Sequence, residues 1–332
     1  GGMLALRETI CDYLRVSKGV SYTPAQVICS NGAKQSLLQC MLALCGPGDE
    51  VVIPAPYWVS YTQMSGLCGA KPVVISTRPE DGFLLQPEDL EAALNPSSRV
   101  FILCNPSNPT GAVHPLELLK KLAAVLARYP RVIVLADEIY EQITYDEPHV
   151  AFASIEGMYD RTVTINGFSK GQAMTGFRVG YIAASAEITA ACNKVQSQNT
   201  SCPCSISQHA AIAALRDVPP SFQTEAIANF RAKRDFVLQR LNAMPHISCP
   251  TPQGAFYAFP TIAGLFGKRT PGGTTLHDSE GVCLYLLEDC HLALVPGEAF
   301  GDGSCLRISY AASIEELTKA MDIMEEGIKK LI

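Results

Sequence analysis

Residues 132–140 read VIVLADEIY, an unbroken apolar run that ends on two carboxylates and a tyrosine. With no polar residue alternating through it, the run fits a strand covered on both faces, as in parallel sheets flanked by helices. Two further stretches repeat the grammar: residues 100–111, VFILCNPSNPTG, and residues 162–170, TVTINGFSK. Each passes from an apolar strand into a polar loop. Ligands of open α/β sheets bind beyond the carboxyl ends of the strands, so chemistry is expected at 105–111, 137–140 and 166–170.

Working outward, further strand candidates lie at 51–53, 73–75 and 178–184. Between strands, 34–44 places Leu37, Leu38, Met41 and Leu42 at helical spacing, and 115–127 opens with proline, as first helical turns often do. This alternation predicts βαβ units: an α/β fold, three-layered, with a mostly parallel sheet. Residues 205–244 read as helical throughout, broken at Pro219-Pro220. Strand signals at 247–249 and 254–259, then helices near 281–289 and 313–331, predict a smaller α+β unit. The expected division is a large domain over 17–205, a helical connector over 206–245 and a small domain over 246–332. The 1–16 helix is expected to pack on the small domain.

Composition agrees with two units. At 332 residues the chain exceeds the roughly 250–300 at which a single core usually stops growing. Its net charge of −6, from 26 basic and 32 acidic residues, argues against nucleic acid or an anionic membrane as partner. No apolar stretch reaches the roughly 18 residues of a membrane span. The 13 cysteines are odd in number and scattered, several within apolar runs, which predicts reduced intracellular thiols. Cys202 and Cys204 lack a matching ligand pair, so no metal is expected. No leader peptide is visible. The amphipathic pattern begins almost at Gly1, which predicts a further segment upstream.

Singly, the loop residues have structural readings: a rigid Asn-Pro turn, a helix-capping aspartate, a solvated lysine. In order at successive strand ends they share a chemical use. A lysine at the rim of a buried site can form a Schiff base with an aldehyde cofactor, and a carboxylate can keep a pyridine nitrogen protonated. Ser169 and Arg178 suit a cofactor phosphate, as do the amides of the small-residue turn Ser30-Asn31-Gly32-Ala33-Lys34.

The full set of motifs is SNGAKQSL (30–37), PAPYWVSY (54–61), NPSNPTG, DEIYE (137–141), NGFSK, AMTGFRVGY (173–181), PQGAFY (252–257), VPGEAFG (295–301) and LRISYA (306–311). On these the chain resembles the fold-type I, pyridoxal-phosphate-dependent class I aminotransferases over nearly its whole length. Among them it is most similar to the prokaryotic-type aspartate aminotransferases of plants and algae, which also transaminate prephenate. The resemblance implies that Lys170 binds the pyridoxal 5′-phosphate aldehyde and shuttles the proton, with Asp137 on the pyridine nitrogen. It implies Asn108 and Tyr140 on the phenolic oxygen, Trp58 stacked on the ring, and Gly32, Ala33, Lys34, Ser169 and Arg178 around the phosphate. Arg307 would clamp the substrate α-carboxylate, Trp58 and Asn108 would also contact substrate, and Lys34 would receive a distal carboxylate.

Small amino-acid and oxo-acid substrates, a homodimer with shared sites and a chloroplast location follow from the same resemblance. So does the expectation that the upstream segment carries substrate contacts and a tyrosine reaching the partner's phosphate site. Three positions depart from the family pattern: Gly171-Gln172 replaces an alanine-aromatic pair, and Phe177 stands where tryptophan is common. Fold does not fix reaction, so a C–S lyase or cyclising synthase on the same scaffold stays open, as does a non-catalytic cofactor-binding regulatory domain.

Overall fold

A computed structural model describes residues 1–332. Helix α1 (Leu4–Lys18) leads to strand β1 (Val27–Ser30), then α2 (Ala33–Leu44), β2 (Glu50–Ala55), α3 (Ser60–Leu67) and β3 (Lys71–Ser76). There follow α4 (Pro87–Ala93), β4 (Ser98–Cys104), α5 (Leu116–Ala127), β5 (Ile133–Asp137), β6 (Thr162–Gly167) and β7 (Gly180–Ala183). Next come α6 (Ala186–Asn199), α7 (Ser205–Arg216) and α8 (Pro220–Ala243). The chain ends with β8 (Tyr257–Ala258), α9 (Ser279–Glu288), β9 (Val295–Pro296), β10 (Leu306–Ser309) and α10 (Ile314–Lys329).

Seven strands form one sheet in the order β1-β7-β6-β5-β4-β2-β3. Pairs β2–β3, β2–β4, β4–β5 and β5–β6 are parallel, while β7 runs antiparallel to both its neighbours. Strand pleating sends Val51, Ile53, Val100 and Ile102 to one face, where Leu37, Cys40, Met41 and Met64 of α2 and α3 cover them. Val52, Phe101 and Leu103 face the other side, under Leu90, Leu119, Leu122 and Leu126 of α4 and α5. This two-sided burial is why the strands carry so little polar alternation, and it makes the large unit the expected three-layer α/β sandwich.

Helix α1 corrects one expectation. Its stripe Leu6, Ile10 and Leu14 packs with Val27, Cys29, Val179, Tyr181 and Ala211, so it covers the β1–β7 edge of the large sheet beside α7 rather than the small unit. The spacing marks a buried face, and burying each such side chain contributes roughly 1.5–3 kcal/mol, but periodicity does not say against what. Strand β1 also escaped the sequence reading, being only four residues long. The strand expected at 247–249 is reduced to a single bridge between Ser248 and Thr261, and that at 254–259 to Tyr257–Ala258. The strand expected from Arg178 begins instead at Gly180.

The second sheet, in the order β8-β10-β9, has its own core of Val237, Leu238 and Leu241 from α8 with Leu286, Ile308, Tyr310, Met321 and Met324. Ser313 and Glu316 form a reciprocal capping box that fixes the start of α10. No helix is long and apolar enough to cross a membrane.

Candidate active site

β5 delivers Asp137 as its last residue, and the β6 strand ends three residues before Lys170. Asn108 lies on the loop after β4, Trp58 just before α3, and Arg307 on β10 of the other sheet. These side chains, with Ala33, Lys34, Tyr140, Ser169 and Arg178, line one cavity of about 330 Å3. Gly32 has no side chain to add to the lining. It lies against the Arg178 guanidinium, with which a Cβ at 32 would collide. Residues drawn from positions 32 to 307 thus meet in one place.

Asp137 is buried, and burial pushes its carboxyl up to about 6. The Tyr61 hydroxyl donates to its Oδ2 at 2.7 Å and the Ile139 amide to its Oδ1 at 3.3 Å, and both favour the anion. Lys170 is half-buried, its amine 5.4 Å from the Phe256 ring centroid and 5.7 Å from that of Tyr140. Burial first, then the Arg307 and Arg178 cations, lower its pKa, while Asp137 opposes them. A lysine so placed holds more free amine at neutral pH than a surface lysine does.

Two places are built for anions. Arg307 is sandwiched between Tyr257 and Phe300, each ring centroid 4.8 Å from its guanidinium carbon, and donates from Nη1 to Asn108 Oδ1 at 3.1 Å. Its Nε is buried without a partner. At the other place the Ala33 and Lys34 amides at the start of α2 precede the first intrahelical bonds, which run from Gln35 and Ser36 to Gly32 O, and such helix starts attract negative charge. A Cβ on Gly180 would strike the Gly32 and Ala33 backbone, so glycine there allows α2 to start against β7. Arg178, at a left-handed φ of 53°, donates to Asn31 O at 3.3 Å and Thr175 O at 3.0 Å beside that turn. Lys34 lies 4.8 Å over the Trp58 ring.

The sequence reading passed over Tyr61 and Tyr257, although both lie inside quoted motifs. Tyr61 follows Trp58 by three residues, the spacing that puts two side chains on one side of a helical turn. The Tyr257 hydroxyl bonds that of Tyr140 at 2.9 Å, a partnership between positions 117 residues apart that no local pattern announces. Leu37, Cys104, Ile139 and Thr175 complete the lining.

The model of the family described as aminotransferase class I and II matches residues 1–324. The chain belongs to that family. An aspartate aminotransferase of Pinus pinaster is 48% identical over 333 residues, covering 98% of this chain and 67% of the relative. A Petunia hybrida protein named as a bifunctional aspartate aminotransferase and glutamate/aspartate-prephenate aminotransferase is also 48% identical, over 98% of this chain and 69% of its own length. The crystal structure of the aspartate aminotransferase from Rhizobium meliloti superposes with a TM-score of 0.97 at 43% identity, covering 100% of this chain and 83% of that one.

The aminotransferase is therefore a transferase enzyme, and the cofactor of its family is pyridoxal 5′-phosphate. The cavity fits that group. It offers a buried carboxylate, a lysine with depressed pKa, an aromatic platform and a helix start beside a guanidinium, which are the donors and acceptors an aldehyde-bearing pyridine phosphate requires.

Proposed function

We propose that the chain transfers amino groups between dicarboxylic amino acids, aspartate and glutamate, and oxo acids, with prephenate among the acceptors. The observation that carries this reading is one cavity lined by Lys170 together with three further cations: Arg178 beside the start of α2, and Arg307 and Lys34, which are left to receive two carboxylates. The pine, petunia and Rhizobium relatives, named for aspartate or prephenate, support it.

When bound, pyridoxal phosphate supplies an aldehyde for the substrate amine and a protonated ring that draws electrons from the substrate α-carbon. The protein does the rest. Asp137 presents a buried anion to hold the ring N–H, and Tyr61 keeps that carboxylate oriented. Tyr140 and Asn108 would supply hydrogen bonds to the ring's phenolic oxygen, and Trp58 would support its face. Gly32, Ala33, Lys34, Ser169 and Arg178 would anchor the phosphate. Lys170 Nζ would take the proton from the substrate α-carbon and give it up to the cofactor carbon that bore the aldehyde. Arg307 grips the α-carboxylate in a two-pronged fork, preorganised by Tyr257, Phe300 and Asn108. Lys34 lies at the mouth of the cavity to meet a second carboxylate.

Incubating holoenzyme with aspartate and 2-oxoglutarate tests this directly. Oxaloacetate and glutamate are expected, and prephenate with either donor should yield arogenate. Pyruvate or free ammonia would mark a lyase, and absence of turnover would mark a regulatory binding domain.

A homodimer belongs to the same reading, because Thr175 and Arg178 line the cavity yet are exposed, and exposed Phe177 lies between them. Light scattering in solution checks it. A plastid location accompanies the plant likeness and is testable with a fluorescent fusion of the gene product. The expected division at 17–205, 206–245 and 246–332 is adjusted so that α1 and α7, whose Ala211 packs with Val27 and Tyr181, go with the large unit and α8 with the small one. Limited proteolysis between α7 and α8 should cut first if it holds.

A further inference from the structure

Behind the lysine loop, outside the cavity lining, a series of side-chain hydrogen bonds runs from the loop to α1. Gln172 Nε2 donates to Gln142 Oε1 at 2.9 Å, and Gln142 Nε2 donates to Tyr13 Oη at 2.7 Å. The Tyr13 hydroxyl donates in turn to Glu141. Lys18, the last residue of α1, pairs with the other oxygen of Glu141; the Glu141 side chain is 2% exposed and that of Lys18 10%. Every donor points towards Glu141, so each bond polarises the next and the buried carboxylate forms the anionic end. Removing either partner of that pair would strand a buried charge, which holds the series firmly at this end.

At the other end the constraint is steric. Gly171 is not among the glycines at positive φ, so its backbone conformation does not demand glycine. A Cβ there would run into the Gln142 side chain, 2.8 Å from its Cδ and 3.0 Å from its Cβ. Gln142 cannot swing aside without losing Tyr13 and Gln172. Its backbone is tied as well, since Gln223 Nε2 donates to Gln142 O at 2.7 Å. The Gly171-Gln172 pair therefore forms a matched set with Gln142 and Tyr13.

We propose that α1 positions the reactive amine: the Tyr13–Gln142–Gln172 series, anchored on the Glu141–Lys18 pair, fixes the loop that carries Lys170. Tyr13 and Gln142 are positioning residues and touch no substrate. The inference rests on Lys170 being the reactive amine, and borohydride trapping of the cofactor on wild-type Lys170 tests that reading separately.

The test compares holoenzyme variants Gln142→Ala, Gly171→Ala, their double variant and Tyr13→Phe. Loop order is read by amide hydrogen exchange across 168–176, with kcat and KM measured separately. Gln142→Ala is expected to speed exchange in that segment and lower kcat roughly tenfold with KM little changed, because the amine is misplaced rather than the substrate site. Gly171→Ala should do likewise. The double variant should be no worse than Gln142→Ala, since the colliding side chain is gone. Tyr13→Phe, which keeps the packing of α1, should also speed exchange across 168–176. Additive losses in the double variant, or unchanged exchange in Gln142→Ala or Tyr13→Phe, would overturn the proposal. If Gly171→Ala fails to fold alone, its recovery in the Gln142→Ala background supports the coupling, and a double variant that also fails to fold counts against it.

Discussion

The Tyr61 hydroxyl donates to Asp137 Oδ2 at 2.7 Å, and both residues are buried. Burial alone would favour a neutral carboxyl at this position, and the tyrosine is the largest of the influences that hold it anionic. Tyr61→Phe keeps the ring and deletes the donor. A hydrogen bond to a charged group is worth about 1.5–3 kcal/mol, so the Asp137 pKa should rise by roughly one to two units. The acidic limb of the kcat/KM profile should move to higher pH by a similar amount. A limb that stays in place would remove Tyr61 from this role.

Lys170→Ala should abolish both the borohydride-reducible cofactor adduct and turnover, the latter by on the order of 10^3-fold or more, as befits a proton-transferring group. Mass spectrometry of the reduced protein reads the adduct directly. An adduct surviving in the variant would place the reactive amine elsewhere.

Lys34 lies over Trp58 at the cavity mouth. Lys34→Ala should lower kcat/KM for aspartate about tenfold through loss of a charge-assisted contact, and far less for a monocarboxylic amino acid. Steady-state kinetics with the two donors check it. Equal losses would assign Lys34 to the phosphate end alone.

Arg307→Lys retains the charge but loses the planar fork and its stacking between Tyr257 and Phe300. KM for every amino acid should rise roughly 10- to 100-fold, the equivalent of one hydrogen bond to a charged group. Near-normal KM values in the lysine variant would mean that a point charge suffices.

His114 is buried; its Nε2 accepts the Leu85 amide at 3.2 Å and its Nδ1 has no partner. Burial lowers its pKa to about 4 from an ordinary 6.5. A histidine depressed on folding stabilises the protein above its unfolded pKa, and that stability drains away as pH falls from 6.5 towards 4. The loss amounts to about 3 kcal/mol at its limit. Urea unfolding of His114→Gln should therefore lose less stability than wild type between pH 6.5 and pH 4. Parallel slopes would show that His114 titrates normally.

Much of the site was legible because strand ends are local facts. Asp137 terminates an apolar run and Lys170 follows another, so one chain rule about open sheets located both without any fold in hand. The assignments of Arg307, Trp58 and Asn108 came instead from the resemblance, and the cavity then gathered all of them with Asp137 and Lys170. Tyr257 stayed hidden because its bond to Tyr140 joins β8 of the small sheet to the loop after β5 of the large one.

The sequence by itself determined the βαβ alternation, the polar loops at the strand ends and the family, since these depend on residue type and spacing along the chain. The tertiary structure alone decided that α1 lies on the large sheet, that β7 is reversed, and that Gln142 occupies the space a side chain at 171 would need. Those are outcomes of which surfaces meet across long sequence separations, and an apolar stripe or a glycine carries no record of its partner.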